Sequence, residues 1–193
     1  LPILNNYTLI TAEDFQTGQV LLIDKPLQWP SFQAVNKIKW CLKKHPGVKK
    51  IKGGHAGTLD PLASGLLIVC TGKFTKRIPE LQGMIKEYTG TFHLGATTPS
   101  YDLETEIDAV FPTGHITEEL IYKTVASFVG EIDQKPPIFY AIKKDGKRLY
   151  EHARKGEEIE IQARKTVIHE FEITRIALPE VDFRVVCSKG TYI

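Results

Sequence analysis

One carboxylate, Asp60, stands in a glycine-framed string, Gly54-His55-Ala56-Gly57-Thr58-Leu59-Asp60-Pro61-Leu62-Ala63-Ser64-Gly65. A carboxylate can act as a nucleophile or exchange a proton, provided it is held still. Gly57 and Gly65 permit backbone torsions denied to other residues, and Pro61 fixes φ and removes an N–H directly after the acid. An Asp before Pro is by itself an ordinary turn former or helix cap. The whole string, rather than the dipeptide, points to a carboxylate presented rigidly. His55, five residues ahead, is a second candidate, although a lone histidine serves equally as a surface or core residue.

The approach to this loop is basic. From Lys25 to Leu59 there is no Asp or Glu, and the lysines are Lys25, Lys37, Lys39, Lys43, Lys44, Lys49, Lys50 and Lys52. This window of +8 in a chain of +2 leaves −6 for the remainder. Lysines on a helix often form a solvated face only. A one-signed run of this length also suits a polyanion held by its phosphates, and a nucleic acid is the natural candidate. Lys43, Lys44, Lys49 and Lys50 are the expected backbone contacts. Aromatic residues interleave with basic ones at Lys86/Tyr88 and Arg148/Tyr150, a pattern that stacks unpaired bases, though a strand tyrosine is more commonly core.

The elements that must position these groups alternate between strand and helix. Val20 to Asp24 and Leu66 to Gly72 read as buried strands. Ser31 is expected to N-cap a helix with Val35, Ile38, Cys41 and Leu42 inward, ended by Pro46-Gly47. Thr117 to Phe128 reads as a second helix with Leu120, Ile121, Val125 and Phe128 inward, closed by Gly130. Its first turn carries Glu118 and Glu119, which favour the helix N-terminus. Asp145-Gly146 marks a hairpin turn, and Glu157 to Ile161 and Val181 to Cys187 alternate as half-exposed strands. Residues 1–17 fit no motif and are expected to pack as an arm. The expected fold class is α+β, a mixed, mostly antiparallel sheet with flanking helices in one domain over residues 1–193.

Composition narrows the class further. With 42% hydrophobic and 25% charged residues, 193 residues can bury a core unaided. No stretch approaches the roughly 20 apolar residues of a membrane helix. Cys41, Cys70 and Cys187 are odd in number and far apart, which suggests buried, reduced thiols and a cytoplasmic protein. The six histidines lack metal-ligand spacing, and Gly53-Gly54 is not followed by a phosphate-loop Lys-Ser or Lys-Thr, so neither a metal nor a nucleotide cofactor is expected.

The string from Gly54 to Lys76 resembles the signature of the TruB family of tRNA pseudouridine synthases. Val20 to Pro26, Lys86-Glu87-Tyr88, Pro136 to Gly156 and Cys187 to Ile193 resemble its other motifs in order, so the likeness spans Val20 to Ile193. It implies the pseudouridine synthase catalytic fold and isomerisation of a uridine in the tRNA T-loop by base flipping. It also implies Asp60 as catalytic nucleophile, His55 against the flipped nucleotide, Tyr88 stacking on the target base, Tyr192 lining the pocket and Lys25 in a structural or charge-pairing role. No metal or cofactor is needed, and a monomer acting on the T-arm, away from any membrane, is expected. Pro30 replaces the family's usual Thr or Ser, and Tyr140 a usual Ser. The family's Asp-pairing arginine and its PUA domain would follow Ile193, and the chain begins at Leu1 rather than Met, so a trimmed form is expected. Two rival readings are a guide-RNA-dependent synthase of the dyskerin type and a non-catalytic RNA-binding or folding module.

Overall fold

The computed structural model describes residues 11–44, 46–48, 50–136, 143–144, 147–148 and 162–193. They fall into two compact units, Leu1–Met84 and Ile85–Ile193. The expected hairpin turn at 145–146, the strand at 157–161, Tyr140, Tyr150 and Lys49 lie outside the described residues.

The first unit is built on a three-stranded antiparallel sheet. Its strands are β1 (Val20–Lys25), β2 (Gly53–His55) and β3 (Gly65–Thr71), in the order β1-β3-β2. Helix α2 (Ser31–Lys43) lays Ala34 and Val35 on Leu67 and Val69, with Leu21, Ile23, Ile38 and Leu59 around them. A 3-10 turn (Gly72–Arg77) and helix α3 (Ile78–Gln82) supply Phe74, Ile78 and Leu81 to a second cluster on Val20, Ala56 and Cys70. β3 is thus packed on both faces from Leu67 to Cys70, and this is why that stretch reads as a continuous apolar run rather than an alternation, while Leu66 at its start is exposed. The clusters bury apolar surface worth ~25 cal/mol per Å² and fix β3, the strand that leaves the Asp60 loop.

The unit corrects two sequence expectations. Ser31 is the first residue of α2 rather than its N-cap; Pro30 takes the cap position with no side-chain bond, since it has none to offer. Cys41 is exposed on the flank of α2, while Cys70 and Cys187 are buried free thiols pushed above the ordinary cysteine range by burial. Within the stretch expected to pack as an arm, residues 12–17 form helix α1 (Ala12–Thr17). Thr11 and Asp14 cap it reciprocally, and Phe15 is buried with Val48 and Ile51. The Thr-x-x-Asp spacing was the available signal.

The second unit centres on β4 (Lys86–His93), β7 (Gly130–Gln134), β10 (Arg164–Ala177) and β11 (Glu180–Cys187), all antiparallel in the order β4-β11-β10-β7. Short strands β5 (Ala96–Thr97) and β6 (Ala109–Val110) pair with each other, as do β8 (Lys143–Lys144) and β9 (Lys147–Arg148). β11 alternates strictly, with Val181, Phe183, Val185 and Cys187 buried. Its opposite face carries Arg184, which pairs with Glu87 and Glu170, and Asp182, which pairs with Arg175. The Arg175 guanidinium and the Thr91 hydroxyl hold the Asp182 carboxyl below the usual carboxylate range. Helix α4 (Glu118–Ala126) is capped by the Thr117 hydroxyl, but only Ile121 is buried. Leu120 and Phe128, expected inward, are exposed. Phe128 lies beyond the helix end, where its ring meets Phe171 edge-on at 6.4 Å between centroids.

Candidate active site

Asp60 sits in the loop joining β2 to β3, partly buried. The loop opens with Gly57 at φ 124° and closes with Gly65 at φ 109°, both in the region that side-chain-bearing residues avoid. The backbone is tied down just before Gly57 and again between the two glycines. The Ala56 N–H donates to the Ile68 carbonyl at 2.8 Å, and the Ala63 N–H closes a turn on the Asp60 carbonyl at 3.0 Å. The Pro61 carbonyl accepts the Gln28 N–H at 2.7 Å, with Gln28 itself left-handed at φ 64°. The rigid presentation expected from Gly and Pro is therefore present, reinforced by bonds from β1's exit turn.

Ser31 supplies a tether that sequence reasoning assigned elsewhere. Its hydroxyl donates to the Leu59 carbonyl at 2.8 Å and accepts the Leu59 N–H at 2.9 Å. The start of α2 thus grips the residue before Asp60 by both of its backbone groups. Nothing in a serine preceding a helical pattern distinguishes this use from a cap. Removing a buried hydroxyl that satisfies two backbone groups costs about 1–3 kcal/mol. Ser31→Ala should accordingly lower the unfolding free energy by that amount and speed hydrogen exchange at the Leu59 amide. Unchanged exchange there would show that the tether does not hold the loop.

Lys25, at the end of β1 and in register with Gly65, is completely buried. Its ammonium donates to the Trp29 carbonyl at 2.7 Å and the Pro26 carbonyl at 3.1 Å. Burial pushes this amine below the usual lysine range, and the negative charge of Asp60 pulls it back. Lys25 is therefore not part of the basic run that meets solvent, as its place in the sequence suggested. It is a buried cation beside the carboxylate, and an adjacent positive charge favours the ionised acid.

His55, the last residue of β2, places Nδ1 2.6 Å from the Gly57 carbonyl. Since a carbonyl only accepts, Nδ1 carries the proton, and in the neutral ring Nε2 is the acceptor. Lys25, His55 and Asp60 are thus held by the same unit. Tyr88 and Tyr192 belong to the second. Tyr88, on β4 opposite Val185, is half-buried against Ile168, Phe183, Val185 and Cys187. Tyr192 is fixed through its backbone: its N–H donates to Gln134 Oε1 at 2.9 Å and its carbonyl accepts from Gln134 Nε2 at 2.8 Å. The turn before it is pinned by Ser188, whose N–H donates to Val167 and whose hydroxyl accepts from it. Gln134 has no sequence signal, because its partner is main chain 58 residues away.

Of the remaining lysines, Lys37, Lys43, Lys44, Lys50 and Lys52 are exposed, while Lys39 runs its stem over Gly53. Among the described residues no three His, Cys, Asp or Glu side chains come together in a metal-binding set. No described helix is long and apolar enough to cross a membrane.

A carboxylate on a pinned loop, beside a buried cation and next to a basic helix, has the chemistry to act as a nucleophile or proton carrier near a polyanion. Residues 43–193 match the family described as TruB family pseudouridylate synthase (N terminal domain). The chain belongs to this family. It is 75% identical, over 95% of its length and 81% of the relative's, to the tRNA pseudouridine synthase B of Flavobacterium johnsoniae. It is 58% identical to the tRNA pseudouridine synthase B of Phocaeicola vulgatus, over 93% of this chain and 77% of that one. Among solved structures it resembles a chain of a Cbf5-Nop10-Gar1 complex, with a TM-score of 0.65 and 29% identity. That match takes in 98% of this chain and 46% of the other, so this chain spans under half of that protein's length. The expected α+β pseudouridine synthase fold is the one found.

Proposed function

We propose that this protein isomerises a uridine in the T-loop of tRNA to pseudouridine, with Asp60 as the acting carboxylate. The observation that carries the reading is the Asp60 loop, pinned at Ala56, Leu59, Pro61 and Ala63 and paired electrostatically with buried Lys25. The similarity to two proteins named tRNA pseudouridine synthase B supports the substrate.

The reaction breaks the bond from ribose C1′ to N1, turns the uracil, and joins C1′ to C5. C5 loses a proton and N1 gains one, so no atom is added and no electron is exchanged. A stacked uridine must first be flipped out to be reached. An ionised carboxylate can then attack an electrophilic carbon, ribose C1′ or uracil C6, forming a covalent intermediate that splits the difficult step in two. The Lys25 ammonium keeps Asp60 ionised. In this reading His55 faces the flipped nucleotide, Tyr88 stacks on the target base and Tyr192 lines its pocket. The protein works in the cytoplasm as a monomer without a cofactor, which suits its two buried, reduced thiols.

Release of tritium from a bare tRNA transcript labelled at uridine C5 tests the reading, because C5 gives up its hydrogen when it joins C1′. Release without guide RNA or accessory protein is expected. A requirement for either would favour the guide-dependent alternative.

The exposed lysines give a separate prediction. Replacing Lys43, Lys44 and Lys50 by Gln should weaken tRNA binding and flatten its salt dependence. Each lost phosphate contact should lower the slope of log K against log salt by up to about 0.9. Lys49 was expected to share this role and lies outside the described residues. Slopes equal to wild type would return these lysines to a solvated face.

A further inference from the structure

The outer face of α2 carries more than charge. Phe32, Asn36, Lys37, Trp40, Lys43 and Lys44 are all exposed, and at 100° per residue they gather within about 80° of the Trp40 direction. Phe32 is 62% exposed and Trp40 50%, although both rings could have been buried on the opposite face, where Val35 is. The ammonium groups of Lys44 and Lys37 lie over the Trp40 ring, at 3.5 Å and 4.5 Å from its centroid. The stripe runs about 18 Å at 1.5 Å per residue. It begins beside Ser31, whose hydroxyl holds the residue preceding Asp60.

We propose that this face is a second RNA-contact surface, on which an unpaired base of the substrate RNA stacks on Trp40 while Lys37, Lys43 and Lys44 take the flanking phosphates. The inference rests on the RNA substrate proposed above and extends it to a site away from the acting carboxylate. Charge complementarity selects the occupant. No acid lies anywhere between Lys25 and Leu59, so an acidic polymer meets no repulsion along the helix. The aromatic ring at the centre of the lysines selects, among polyanions, one with flat apolar faces. Exchange at the ring is favourable on magnitudes. A cation over an exposed ring contributes about two- to fivefold in binding. A base stacked on an aromatic ring contributes about five- to 150-fold. Lysines displaced from the ring gain phosphate contacts in the same movement.

The test uses the intact chain and an unmodified full-length tRNA transcript. Trp29 and Trp40 are the two tryptophans, so the emission of the Trp40→Phe protein supplies the Trp29 signal to subtract. The tRNA should quench the Trp40 component. Trp40→Ala should raise the Kd about tenfold, within the five- to 150-fold range of one stacked base. Trp40→Phe, which keeps a ring, should raise it by under about threefold on the same basis. Single-turnover isomerisation at saturating tRNA should be unchanged in both, so a failure here is separate from any failure of the Asp60 reading. Thermal melts of the two variants confirm the fold. A Kd within twofold of wild type for a folded Trp40→Ala protein would overturn the proposal. So would Trp40 emission that responds to anionic phospholipid vesicles and not to tRNA.

Discussion

Asp60→Asn should lower single-turnover isomerisation by at least about a thousandfold while tRNA binding stays within about threefold of wild type. An amide of the same shape cannot attack carbon as a carboxylate does, nor accept a proton usefully near neutral pH. The expectation of an intact loop is physical. The bonds that pin it run to the backbone of residues 59–61 and 63, and each survives a change of the Asp60 side chain. Asp60→Glu makes the test sharper. It keeps the charge beside Lys25 but moves the carboxylate outward by a methylene, and a misplacement of about 1 Å costs about a hundredfold. Tritium release from C5-labelled transcript measures both variants. Turnover by Asp60→Asn within tenfold of wild type would end the nucleophile role. Glu at wild-type rate would mean that Asp60 supplies only charge.

What sequence reasoning could reach here is what local chemistry determines. Gly57, Pro61 and Gly65 announce a constrained loop because torsional freedom belongs to single residues, and the apolar run after them announces a strand because burial on two faces leaves no room for alternation. The tethers were hidden for the complementary reason. Ser31 to Leu59 and Gln134 to Tyr192 are side-chain bonds to main chain 28 and 58 residues away, and a main-chain partner leaves no trace in residue identity. Lys25 was legible only through the family resemblance, which gave it a structural or charge-pairing role. A lysine in a one-signed run looks like surface, and only the turn at Pro26–Trp29, folding its two carbonyls over the amine, makes burial of that charge tolerable. Leu120 failed as an inward position because α4 buries a narrower stripe than its apolar content suggests, and Phe128 because the helix ends at Ala126, before it.

Lys25→Met should destabilise the first unit and slow the reaction together, and the two effects should part with pH. Methionine can keep the apolar stem packed, so the loss isolates the ammonium. The Pro26 and Trp29 carbonyls, on a turn that water reaches in part, then lack their donor, at a cost of about 1–3 kcal/mol in all, or a fall in Tm of roughly 3–10 °C. Asp60 loses its neighbouring cation at the same time, so kcat should fall at least about tenfold with KM altered less. Lys25→Arg should not rescue either, because a planar guanidinium does not fit a pocket shaped around a point donor. The pH dependence has a definite sign. Burial lowers the Lys25 amine below the usual lysine value, so in the alkaline range the folded protein gives up this proton before the unfolded chain does. The unfolded state then binds more protons, and stability from this group rises with pH. Activity moves the other way, since the neutral amine no longer supplies the positive charge beside Asp60 and the reacting groups. A kcat profile of the wild type should therefore bend down on the alkaline side earlier than an unperturbed lysine would give, and the Met variant should lack that limb. If both proteins showed the same alkaline limb, the cation acting on Asp60 would have to be a group other than Lys25.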